Sequence, residues 1–203
     1  MKKKVDKEKK YIPKSVLDTK SWRLSRRQFI RAAVVAGAFS QIGFLSGCLE
    51  EKIDTGILSR EDFQLIQSVQ GILFPKDRYG PGAREINADK YLLWVLGDRR
   101  MDPDEKQYLL NGIRWTGETS RETYAKPYNH LNQKQKEKLI EKISAENWGE
   151  NWLSMLLTFI IEAMISDPIY GYNEDGIGWK WLAHTPGMPR PNLDNKYDNI
   201  LTL

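Results

Sequence analysis

From residue 59 onward the apolar positions fall three and four apart, and they almost never alternate with polar ones. That spacing belongs to helices with one face turned inward, not to half-buried strands. Phe63, Ile66, Val69 and Leu73 share one such face; Ser59 and Asp62 ahead of them supply a helix start, and Pro75 a stop. The stretch "PKDRYGPGAREI" that follows carries Gly80, Pro81 and Gly82 and reads as a loop. Tyr91, Leu92, Val95 and Leu96 mark a short second helix closing near Gly97. Asp102-Pro103 then sets a capping carboxylate before a proline at the first helical position, with Asp104 and Glu105 at the positive end of the dipole. Tyr108, Leu109, Ile113 and Thr116 continue that helix, and Asn132 with Gln135 forms a capping pair ahead of Leu139, Ile140 and Ile143. The last helix is the most apolar, with Trp152, Leu153, Leu156, Leu157, Ile160, Ile161, Met164 and Ile165, and Glu162 interrupts it. It is too short to span a membrane and belongs at the centre of a bundle. The expected class is all-α: a compact bundle of about five helices with an irregular Gly/Trp-rich C-terminal segment, preceded by a disordered or helical signal segment.

Before residue 59 the pattern changes character. Arg26 and Arg27, then Phe29, Ile30 and Arg31, lead into a mildly apolar run over residues 32–45 and small residues after it. Basic, apolar, then small is the order of a secretion signal, and the adjacent arginines match the twin-arginine class, whose receptor reads an address. At 14 residues the run falls short of the roughly 20 that cross a bilayer, which argues against a permanent anchor. Leu45-Ser46-Gly47-Cys48 resembles a bacterial lipobox, and Cys48 is the only cysteine in the chain. A lipidated Cys48 would hold the chain at a membrane, each buried methylene contributing about 0.8 kcal/mol. The bland alternative is an ordinary signal whose cleavage site contains a cysteine. The expected organisation is a signal with lipobox over 1–47, a tether over 48–58 and a helical domain over 59–203. The expected location is the periplasm or cell envelope, reached through the twin-arginine translocase, with a lipid anchor at Cys48.

Charge divides along the same line. Residues 1–47 hold 12 Lys and Arg against 3 Asp and Glu, net +9; residues 48–203 hold 19 against 24, net −5. The basic excess therefore lies in the segment expected to be removed, and nucleic-acid binding loses its support, since a basic footprint should sit on the folded domain. The opening run "MKKKVDKEKK" reads as a disordered, solvated stretch.

After the apolar helix comes "SDPIYGYNEDGIGWKWLAHTPGMPRP". Asp167-Pro168 ends the helix, because the residue before proline avoids the α region. Gly171, Gly176 and Gly178 open unusual backbone conformations, and Asn173 and Asp175 favour turns. The pattern Asp167-Pro168-x-Tyr170-Gly171-x-Asn173-x-Asp175-Gly176-x-Gly178-Trp179-Lys180, with Pro-Gly at 186–187, resembles the gluconate 2-dehydrogenase small-subunit family. Phe74-Pro75, the "PGA" at 81–83 and the helix start at 131–135 also fit, so the resemblance covers residues 57–190. It departs at Tyr172, where a second glycine is common, and at Phe159-Ile160, which replaces a polar His-Thr pair.

What the resemblance implies is an accessory subunit without a catalytic centre. It would accompany a larger FAD-dependent flavoprotein of the glucose–methanol–choline type, often together with a membrane-associated cytochrome c subunit. A flavoprotein folds around FAD in the cytoplasm, so a bound small subunit could lend it an export signal. Glu162, Asp167 and Asp175 could form a carboxylate set, or serve as a buried partner, a cap and a turn. His130 and His184 are the only histidines and give no metal-ligand spacing. The Gly-rich loop follows a helix and lacks the strand context of a dinucleotide fingerprint. Residues Tyr170, Gly171, Tyr172, Asn173, Asp175, Gly176, Gly178, Trp179, Lys180 and Trp181 are the candidate partner interface. Their aromatics could equally close the core, Trp179 leaning to core and Tyr172 to interface, or stack on a sugar. A stand-alone envelope lipoprotein binding a small carbohydrate is the alternative function.

Overall fold

In the computed structural model the described residues are 10–14, 16 and 56–197. Arg26, Arg27, Phe29 and Cys48 lie outside them. Among the described residues the regular structure is entirely helical, with six α-helices and three short 3-10 turns. Helix α1 is Arg60–Leu73, α2 Ala88–Gly97, α3 Pro103–Tyr124, α4 Gln133–Ser144, α5 Asn147–Ile165 and α6 Ile177–Leu182. The all-α expectation holds, with α6 added inside the segment read as irregular.

The helices begin where their caps dictate. Ser59 accepts from the Asp62 amide at 3.1 Å, and the Asp102 carboxylate accepts from the amides of Asp104 and Glu105. Asn132 and Gln135 complete a reciprocal capping box. Each such cap stabilises its helix by about 1 kcal/mol. Helix α3 runs 22 residues, past Thr116, and stops where Ala125 takes a left-handed conformation.

Helix α5 packs against each of the other five α-helices, which makes it the axis of the bundle. Its Trp152, Leu153, Leu156 and Ile160 are fully buried. The Trp152 indole lies on α3 and donates Nε1–H to the Leu109 carbonyl at 3.1 Å. Gly112 permits this approach, because a Cβ there would overlap the indole ring. Ile57 and Leu58, at the end of the expected tether, pack on the core.

The N-terminal residues bring a difference from the sequence reading. Lys10, taken as the end of a solvated run, lies against the Trp115 and Trp148 rings, and Val16 joins the core. Ile12, Pro13 and Val16 sit against the domain close by, and the lysine stem packs with them while its charge lies over the rings.

Candidate functional site

The family-like motif folds into a clasp that ties the end of α5 to α6 and to the loop before α2. Asp167 ends α5 and accepts from the Ile169 amide at 3.1 Å, capping the 3-10 turn Pro168–Tyr170. Its carboxylate also takes two hydrogen bonds from Arg190, at 2.9 and 3.0 Å. That pairing, Arg190 first among its causes, holds Asp167 below the usual carboxylate range. Gly171 then adopts φ 85°, a turn that other residues enter only with strain.

Asn173 is the hub. It is fully buried in a left-handed conformation, φ 49° and ψ 47°. Its amide donates to the Ile86 carbonyl at 3.0 Å, reaching the loop before α2. Its Nδ2 donates to the Ser166 carbonyl at 3.0 Å, and its Oδ1 accepts from the Gly178 amide at 2.6 Å. Both ends of the side-chain amide are thus used, one on the last carbonyls of α5 and one on the first amides of α6. Gly178 must be glycine for a separate reason: a Cβ would overlap the Met164 carbonyl oxygen.

The aromatics divide. Trp179 donates Nε1–H to the Ile165 carbonyl at 2.8 Å and carries the Arg190 guanidinium over its ring at 5.0 Å. Tyr172 is 8% exposed, packed edge-on to Tyr91 at 5.1 Å and against Trp94 at 6.3 Å. Within the subunit its ring therefore packs on the two aromatics of α2. Asn173, Gly176 and Gly178 are buried as well, and Tyr170 is half-buried. Gly171, Asp175, Lys180 and Trp181 face outward, Trp181 at 43% exposure with its edge on Phe74. Leu182 beside it, and Ile161 and Ile165 one turn apart on α5, are exposed too. The exposed surface of the clasp thus mixes charged side chains with Trp181 and Leu182.

The candidate carboxylates do not meet as a set. Asp167 caps, Asp175 sits at φ 54° in a turn, and Glu162 accepts from the Tyr91 hydroxyl at 3.0 Å. Burial raises the Glu162 carboxyl above its ordinary value, while the Tyr91 hydrogen bond pulls the other way. Burial, then the nearby Glu162 charge, pushes the Tyr91 phenol up. His130 and His184 are both exposed, His184 against Trp179 at 5.9 Å. Among the described residues no three His, Cys, Asp or Glu side chains gather as a metal site would require. A cleft of about 500 Å³ is bounded by α1, the loop before α2, the start of α2 and α4, with Gln64, Arg84, Asp89 and Lys136 among its lining. The motif's aromatics do not line it, so they offer no sugar platform there.

Sequence reasoning missed Arg190, Tyr91, Trp94 and Tyr197 as parts of this assembly. Tyr197 packs on Trp94 at 5.5 Å, and its hydroxyl donates to Asp98 at 3.1 Å. Only the helical spacing of Tyr91 and Trp94 could have hinted at a shared face.

Among the described residues, then, the fold is all-helical and the motif's buried polar side chain bonds backbone groups of the neighbouring segments. The chain is a member of the gluconate 2-dehydrogenase subunit 3 family, whose sequence model matches residues 60–187, from the start of α1 to beyond α6. Membership implies a dehydrogenase partner. No curated protein and no solved structure matches the chain.

Proposed function

We propose that the chain is the non-catalytic accessory subunit of an envelope FAD-dependent dehydrogenase of the glucose–methanol–choline type. It binds the flavoprotein subunit, lends it the twin-arginine signal around Arg26, Arg27 and Phe29, and holds the complex at a membrane through lipidated Cys48. A cytochrome c subunit completes the electron path. One observation carries this reading: Asn173 and Asp167 spend their side-chain polar groups within the clasp, while Trp181, Leu182, Ile161 and Ile165 stay open to solvent. Exposed apolar side chains on a rigid support are what a protein contact requires. No helix among the described residues is long and apolar enough to cross a membrane.

The test changes Arg26 and Arg27 together to Lys. Lysine keeps the charge and loses the planar multi-donor guanidinium that a pair-reading receptor requires. A signal-lending subunit then strands a second, FAD-loaded protein in the cytoplasm, although that protein's gene is untouched. Fractionation with a dye-linked dehydrogenase assay should show activity move from envelope to cytosol. Unchanged envelope activity while this chain stays inside would sink the escort role and favour the stand-alone lipoprotein.

A further inference from the structure

Gly71 lies inside α1 and lines the cleft of about 500 Å³. A Cβ at this position would meet nothing within 4 Å. Gly112 and Gly149 have packing reasons to be glycine, since a Cβ would overlap the Trp152 indole at one and the Ile143 carbonyl at the other. Gly71 has no such reason, and glycine in a helix interior costs stability relative to alanine. What the glycine does is keep the cleft wide. The cleft also gathers charge that the fold leaves unmatched. Lys136 of α4 is half-buried with its ammonium 5.3 Å from the centre of the Tyr128 ring, and Arg84 comes from the loop before α2. Among the described residues no carboxylate pairs with either. Burial holds Lys136 below the usual lysine value, as befits a cation drawn from water without a counter-charge.

The carboxylate in the lining, Asp89, is already engaged: it accepts from Gln67 Nε2 at 2.7 Å and from the Lys90 amide at 2.9 Å. The other amides of the lining also spend their donors on the protein. Asn129 donates Nδ2–H to the Glu61 carbonyl at 3.0 Å, and Gln133 donates Nε2–H to Glu137 at 2.8 Å. Each of these partners can only accept, which fixes the two ends of each amide. The carbonyl oxygens of Gln67, Asn129 and Gln133 are left with no donor among the described residues. Unpaired cations require an anion, and unmatched amide carbonyls require hydroxyl donors. The volume falls within the range of about 300–1,000 Å³ usual for small-molecule sites. Protein contacts are built on apolar anchors, whereas Ala83 is the one apolar side chain in this lining. We propose that the cleft is a binding site for a small hydroxylated carboxylate, held at its charge by Arg84 and Lys136 and at its hydroxyls by the amide carbonyls. Gly71 supplies the clearance. The site shares no residue with the clasp and involves neither export signal nor flavoprotein, so it goes beyond the function proposed above and stands independently of it.

The experiment titrates the full chain with malate, tartrate and citrate at matched ionic strength, read by calorimetry and by NMR of the side-chain amides. Threitol serves as the uncharged counterpart of tartrate. At least one acid should bind saturably and shift the amide signals of Gln67, Asn129 or Gln133, while threitol should bind at least about tenfold more weakly than tartrate. Lys136→Gln and Arg84→Gln should each weaken binding by about tenfold or more and leave the urea midpoint unchanged. Gly71→Leu sets a side chain in the cleft and should abolish binding. Its unfolding midpoint should hold or rise, because leucine is the better helix former and its Cβ meets no neighbour. The site is overturned if none of the three acids binds saturably, or if threitol binds as tightly as tartrate, which would make the cleft a neutral polyol site. Binding that survives Gly71→Leu or both charge variants would assign the acids to the basic residues of 1–47 and overturn it as well. A lowered midpoint in Gly71→Leu would show that the glycine answers to packing and would overturn its role as the ligand's clearance. None of these readouts involves export or a dehydrogenase, so failure of the accessory-subunit reading would appear separately, in the fractionation of the Arg26 and Arg27 variant.

Discussion

The surroundings of α5 and the clasp after it are held together by different physics. Around Trp152, Leu156 and Ile160 the chain is fixed by close apolar packing, to which many side chains of the right shape contribute in parallel. In the clasp one side chain, Asn173, connects three segments through assigned polar atoms in a left-handed conformation. The first arrangement spreads its energy over many contacts, and the second concentrates it. In this chain the clasp therefore holds the least replaceable joint, while the core is the larger source of stability. The joint in turn sets where Trp181 and Leu182 emerge.

The largest expected effect lies in the core. Trp152→Ala removes a fully buried indole and its bond to Leu109, at a cost of about 3–5 kcal/mol. Urea unfolding should show a matching drop in midpoint. A loss under about 1 kcal/mol would mean that α5 is not the axis on which the bundle depends. Asn173→Ala comes next. It leaves the Ser166 carbonyl and the Gly178 amide without their partner and puts a Cβ residue without local bonding at positive φ, for about 2–4 kcal/mol. Asn173→Gly sharpens the comparison, because it removes the same bonds and relieves the backbone, and should recover about 1 kcal/mol. Equal losses in the two variants would show that the conformation itself carries no strain. In both, hydrogen exchange should open residues 167–184 before the core.

These two regions also differ in how far the sequence reveals them. The starts at Ser59, Asp102 and Asn132, and the central place of the Trp152 helix, follow from spacing and capping chemistry local to each element. The short helix α6 is hidden by Gly176 and Gly178, since glycine argues against a helix unless its close packing on Met164 is known. The hub role of Asn173 is nonlocal: its amide meets Ile86, far back in the chain, and no periodicity encodes that bond. The same holds for Tyr172, whose burial depends on Tyr91 and Trp94 of α2. The motif could thus be read as a resemblance, yet its division into buried supports and outward side chains required the fold. Lys10 was obscured in another way, by a lysine run whose charge masks the apolar Ile12 and Val16 that follow.

A smaller effect tests the contact between α2 and α5, where Glu162 accepts from Tyr91. Burial is the first cause of its shift and raises the carboxyl, so the folded state favours the protonated form. The contribution of such a group is fully present below the unfolded value of about 4.3 and is lost as pH rises through the raised folded value. Glu162→Gln keeps an acceptor for Tyr91 and removes the charge. It should stabilise the protein at neutral pH by a few tenths to about 1 kcal/mol, since the site is only half-buried. It should also flatten the slope of stability above about pH 4.3. Thermal unfolding of both forms at pH 5 and 7.5 reads this directly. A Gln variant that loses stability at neutral pH would show that the charged carboxylate is the better partner for Tyr91.

The smallest effect is expected where the clasp meets solvent. Arg190 grips Asp167 with two hydrogen bonds, yet its side chain is 46% exposed, so the pair is screened and adds little to global stability. What the pair does is local: it lays the chain around residue 190 across Trp179 and back onto the cap of the 3-10 turn. Arg190→Gln should leave the unfolding midpoint unchanged while residues 184–197 become more open to protease and hydrogen exchange. The pH dependence has the opposite sign to that of Glu162. Asp167 is depressed, first by the Arg190 hydrogen bonds, so its contribution is present above the ordinary value of about 3.9 and is lost as pH falls through the folded value. Acid should therefore loosen the wild-type tail ahead of the bundle, and the Gln variant, already loose, should show a weaker acid dependence. If Arg190→Gln lowers the global midpoint as far as Asn173→Gly does, the clasp is a single cooperative unit with its tail, and the contrast between concentrated and distributed stabilisation would have to be redrawn to include residue 190.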